Sequence, residues 1–145
     1  MTGISFDTKD FDNKIKKFDS KFHNATDKAI FEVCLEIMRL SSFNVPHDKG
    51  LLQASATTET ESGEVLAISD QNGSISPVAQ ETKEQSAVVG YNKVYAARLH
   101  EHPEYHFKQS GPQKRGAKYL EGPIKLNLNI FERHIGETIK DSLSL

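Results

Sequence analysis

Long apolar runs are missing from this 145-residue chain. Nowhere does it approach the roughly 20 consecutive apolar residues that cross a bilayer. The opening stretch, "MTGISFDTKDFDNK", has neither a basic segment nor an apolar one, so a secretory signal is not expected. A single cysteine, Cys34, excludes an internal disulfide and suits a reducing cytoplasm. Tryptophan is absent and the formal net charge is -2, which argues against a nucleic-acid binder in the usual basic, aromatic-rich style. No phosphate-cradling P-loop, no GxGxxG and no GxSxG occurs, and no stretch reads as a helix-turn-helix. The hydrophobic fraction is 37%, low beside 26% charged residues, so the core is modest and its burial is expected to be completed by assembly. The length suits one domain over residues 1–145.

What is present begins with a periodic stripe. Phe11, Ile15, Phe18, Phe22, Ala25, Ala29, Val33, Ile37 and Leu40 recur at steps of three or four, which predicts one long helix. Asp7 or Asp10 is expected to cap its start, and Pro46 and Gly50 to lie beyond its end near Ser41. Helix propensity dips at "HNAT", residues 23–26, where a kink or break is expected. In "NVPHDKGLLQAS", Asp48 is expected to cap the next turn and Gly50 to take a backbone shape that other residues resist. Leu51, Leu52 and Ser55 then read as a short helix or the start of a strand.

The middle is strand-like. "ASATTETES", "GEVLAISD" and "QSAVVGYN" are short, β-branched and bounded by turn residues, with Val65, Ala67 and Val88 expected to point inward. Residues 69–85 read as a polar loop, with Asn72-Gly73 as a hairpin turn in the alternative. Six acids (Glu59, Glu61, Glu64, Asp70, Glu81, Glu84) face one Lys83 between Thr57 and Ser86. Tyr95, Ala96, Leu99 and His100 suggest a short helix ended by Pro103, with Tyr95 and Leu99 as its anchors. Residues 106–118 follow no period and carry Lys108, Lys114, Arg115 and Lys118, so they read as a mobile basic loop. A last stripe, Leu120, Ile124, Leu128, Phe131, Ile135 and Ile139, predicts a helix beginning near Glu121, with Pro123 in its first turn. The order gives an α+β fold: a long N-terminal helix and a C-terminal helix packed on one face of a small antiparallel sheet, with a short helix and long loops.

One cluster looks enzymatic. His100, His102 and His106 sit among Glu101 and Glu104, and a small metal-dependent hydrolase built on them is the alternative reading. Pro103 splits the three histidines, and no HExxH or paired CxxC supports them. A polar structural corner is the preferred reading, with no catalytic residue, no metal and no cofactor expected. Glu101 is expected to bond to backbone or to Lys118. The basic loop (Lys108, Lys114, Arg115) is expected to meet the acidic loop (Glu81, Glu84) of a neighbouring subunit or another protein. Contact with DNA is the second reading of that loop.

Three stretches carry a resemblance. "VPHDKGLLQAS", "VGYNKVYAARLHE" and "GAKYLEGPIKLN", in this order, resemble the minor capsid or head–tail joining proteins of long-tailed bacteriophages, over about residues 5 to 142. The matching positions include Asp48, Gly50, Tyr95, His100, Glu101, Lys118 and Tyr119. The resemblance implies a structural, non-catalytic protein of the virion neck, at the tail-completion position. It implies a homo-oligomeric ring, with a hexamer favoured, between connector proteins and the tail tube, assembled in the bacterial cytoplasm. His47 and Lys49 flank Asp48, where the family often has a small or β-branched residue after the aspartate, and "EHPEYHFKQSGPQKR" falls in a variable part of the family.

Overall fold

The computed structural model describes Gly3 and residues 8–144. Helix α1 spans Lys9–Asn44, 36 residues without interruption. Asp10 and Asp12 sit in its first turn, where carboxylates suit the partial positive charge of a helix start. Thr8 occupies the cap position without a side-chain hydrogen bond, so Asp10 lies inside the helix rather than capping it. Asp7, the other expected cap, lies outside the described residues. The break expected at residues 23–26 does not occur. There Thr26 Oγ1 donates to the Phe22 carbonyl at 2.7 Å within an unbroken run of helix. Val45 ends α1 in an extended conformation, as the following Pro46 requires.

After a 3₁₀ turn at Gln53–Ser55 come β1 (Ala56–Glu59), β2 (Val65–Ser69), β3 (Ile75–Pro77) and β4 (Val88–Tyr91). The short helix α2 is Ala96–Glu101, and α3 is Glu121–Leu143. The fold is α+β. Its sheet is antiparallel with order β3-β2-β1-β4. Strand β3 falls inside the segment read as a polar loop. The Asp70 carboxylate accepts the Asn72 and Ser74 N–H groups, and Gly73 takes φ +80°, so Asn72-Gly73 closes a hairpin.

Helix α1 is buried on two sides. Phe31 and Met38 pack with Ala56, Leu66 and Ala67 in the core against the sheet. The opposite side of its second half meets α3, which runs antiparallel to it: Glu32 pairs with His134 at 2.7 Å, and Ala25 faces Thr138 and Asp141. The long apolar stripe of the sequence marks this α3 side. The sheet side, Phe31, Leu35 and Met38, was hidden beside it. Of the expected inward strand residues, Ala67 is fully buried, whereas Val65 and Val88 are exposed. A bulge between Thr58 and Glu59 sets both Leu66 and Ala67 inward and breaks the alternation on which that choice rested.

Gly50 is buried at φ +76°, where a Cβ would lie 2.7 Å from the Gln71 carbonyl oxygen. The turn after α1 therefore requires glycine on both counts. Asp48 is exposed and caps nothing among the described residues. No described helix is long and apolar enough to cross a membrane.

Candidate functional site

A second core lies where α1 ends. Val45 and Leu52 come from the first quoted stretch, Ala96 from the second and Tyr119 from the third, with Tyr91, Leu99 and Leu120 packed around them. Tyr119 is the hub. Its ring meets Tyr91 edge-on at 5.0 Å and His100 edge-on at 4.9 Å, and its hydroxyl donates to the Ala96 carbonyl at 2.7 Å. The Tyr91 hydroxyl shares a hydrogen bond with Ser41 of α1 at 2.7 Å. Burial pushes the Tyr91 phenol up to about 12 and raises that of Tyr119 as well. Tyr95, expected as an anchor, is 39% exposed, and its neighbour Ala96 fills the anchoring role with Leu99. A six-residue helix turns only a narrow side inward, and here the small residue faces the Tyr119 ring.

The histidines are spread over separate tasks. His100 places Nδ1 2.7 Å from Glu101, and its Nε2 accepts the Glu121 N–H at 3.2 Å. His102 pairs with Glu104 at 2.6 Å and stacks on Tyr105 at 4.7 Å. Among the described residues, no three His, Cys, Asp or Glu side chains converge as a metal ligand set. Cys34 is buried, and burial pushes its thiol up to about 11, which disfavours the nucleophilic thiolate.

Lys118 joins α2 to α3. It ion-pairs with Glu101 and lies 3.1 Å from Glu121, while its N–H donates to the His100 carbonyl at 2.9 Å. Its φ of +57° is a left-handed conformation that a lysine rarely takes, held here by those contacts. Glu121 also meets Lys125 at 2.5 Å. The hydrogen bonds from Lys125 and then Lys118 lower the Glu121 carboxyl from 4.5 to about 2, and Lys118 lowers Glu101 too. Because the folded value is depressed, the stabilisation is present above pH 4.5 and is lost as pH falls toward 2. We expect carboxyl NMR titration to find Glu121 near 2. Lys125→Met should raise Glu121 alone, and Lys118→Met should raise both Glu121 and Glu101. An unshifted Glu101 in Lys118→Met would show that the pair does not hold in solution.

The basic loop is not free along its length. Arg115 is buried, and its guanidinium donates to the carbonyls of Ser42 (3.1 Å), Val45 (2.8 Å) and Ser110 (2.6 Å). Asn44 Nδ2 donates to the Lys114 carbonyl at 2.9 Å, and the Gly116 N–H donates to the Asn44 carbonyl at 2.9 Å. The Arg115 guanidinium is thus engaged within its own chain, where it satisfies open carbonyls at the end of α1. No local pattern could separate it from the exposed Lys108 and Lys114. Glu84 is exposed beside Ser62, and Glu81 lies half-buried near Ala25. The structure therefore sets the acidic loop beside the middle of α1 and the basic loop beside its end.

Between that loop and the helices runs a groove of about 700 Å³, bounded by Leu40, Phe43, Tyr105, Phe107, Pro123 and Leu126. The sequence signalled only its polar edge, since its apolar walls come from three distant segments. Compared with protein-family models, with curated proteins and with solved structures, the chain matches none.

Proposed function

We propose that this chain is a structural subunit of a bacteriophage neck, without catalysis, forming a ring at the tail-completion position. One observation supports it most. The three stretches that carry the family resemblance, far apart in sequence, pack into one joint around Tyr119. In that joint Glu101 pairs with both His100 and Lys118, and His100 accepts the Glu121 N–H, so these side chains tie α2 to the start of α3. Residues matched for this reason are matched as architecture. The ring, with a hexamer favoured, joins connector proteins to the tail tube, and the chain resides in the virion.

Electron microscopy of particles made without this chain tests the reading. Filled heads beside detached tails are the expected outcome. Intact tailed virions would end it.

A further inference from the structure

The first part of α1 stands open to solvent. Every residue from 8 to 24 is exposed, including Phe11 (64%), Ile15 (50%), Phe18 (52%) and Phe22 (38%). These four fall on the face that α3 covers further along α1. Helix α3 runs out beside Asn24 and Ala25, so its contact strip continues uncovered for residues 9–23, about 22 Å of helix. This stretch of α1 has no packed face to add tertiary stabilisation, and its aromatic stripe is of the kind that a groove receives at helical spacing.

The chain carries such a groove at its other end, the one lined by Leu40, Phe43, Tyr105, Phe107, Pro123 and Leu126. Residue 16 and residue 42 are about 40 Å apart along one unbroken helix, so no chain can seat its own arm in its own groove. Charge has the same polarity. The acidic loop meets α1 near Asp27, which accepts the Gln85 N–H, and the basic loop meets it at Asn44, about 25 Å further on. The arm has mixed edges, with Asp12 and Asp19 along one side of the stripe and Lys14 and Lys21 along the other.

We propose that residues 9–23 of one copy lie in the groove of a second copy, with Phe11, Ile15, Phe18 and Phe22 against its Leu40, Phe43, Phe107 and Leu126. The proposal rests on the ring reading and names the surfaces that make the ring. Donor and acceptor differ, so the contact is head-to-tail and propagates until rotation closes it. With the arm seated, the acidic loop at its root approaches the basic loop of the next copy.

Two variants test it by light scattering. Phe11→Ala, Ile15→Ala, Phe18→Ala and Phe22→Ala together remove the donor and keep helix propensity. Gly122→Glu with Leu126→Asp spoils the groove at positions with room: Leu126 is 85% exposed and a side chain at Gly122 meets open space. The wild-type chain is expected to be a multiple of 16.2 kDa, and each variant a monomer. Mixing the two variants should give a one-to-one dimer and nothing larger, because each retains the half that the other lost. A wild-type oligomer that the arm variant preserves overturns this contact and leaves the ring reading standing. A mixture that stays monomeric overturns it as well. So does a wild-type chain that stays monomeric at its highest soluble concentration, whether or not the arm then binds vesicles of anionic phospholipid. Normal virions without the chain, together with the expected dimer, would remove the neck reading alone.

Discussion

Tyr119→Ala is expected to cost about 4 kcal/mol of folding stability, in the range for emptying a large buried aromatic site. Tyr119 is 2% exposed and is the point where three segments of the chain meet. Truncation removes its apolar burial, two edge-on ring contacts and one buried hydrogen bond. The site cannot readily collapse, because α1 on one side and α2 on the other are held by separate contacts: Ser41 to Tyr91, and Glu101 to Lys118. Domains of this size have roughly 5–15 kcal/mol to lose, so the variant should sit close to unfolding. Tyr119→Phe keeps the rings and loses only the bond to the Ala96 carbonyl, for about 1 kcal/mol. Urea unfolding with an unchanged denaturant slope would read both values. An alanine variant within about 1 kcal/mol of wild type would show that the joint is not a core.

Arg115→Met is the second. It keeps most of the side-chain length and removes three hydrogen bonds. Two effects oppose one another. Burial disfavours the guanidinium cation, lowering its pKa, so removing the charge relieves a desolvation cost. Against that, the Val45 carbonyl loses its donor, and Ser42 retains only the one from Gln53. A buried carbonyl without a partner costs about 1–3 kcal/mol, so the net loss should be about 2 kcal/mol. The loop should also loosen, since Arg115 links Ser110 to α1. Hydrogen exchange across residues 108–116 should quicken well beyond the global change. Lys114→Met, at an exposed neighbour, should leave stability within about 0.5 kcal/mol. Equal effects at the two positions would contradict the burial of Arg115.

The two positions mark where reading the sequence stops. Lys114 and Arg115 are adjacent cations in an aperiodic segment, and both read as partner-facing. Only packing against the end of α1 separates them, because the carbonyls that need a donor belong to residues about 70 positions away. The histidine cluster behaves likewise. Pro103 argued against convergence of the rings, and their actual partners, the Glu121 N–H for His100 and the Tyr105 ring for His102, depend on how α3 and the loop return. Of the two partners expected for Glu101, backbone or Lys118, the ion pair with Lys118 forms, because the loop returns Lys118 to the end of α2 just before α3 begins.

By itself the sequence determined the elements: α1 and α3 from their stripes, three of four strands from β-branched runs, α2 from its proline stop, and Gly50 as a turn. Those follow from interactions within a few residues, which local spacing records. The tertiary structure alone decided which apolar faces are covered. The stripe from Phe11 to Leu40 reads as one continuous surface, yet α3 covers only its second half. Periodicity fixes the direction in which a side chain points and is silent on what lies opposite. The same limit hid the sheet-facing side of α1, the bulge that turns Leu66 inward and the groove at the far end of the helix, all of which exist only where distant segments meet.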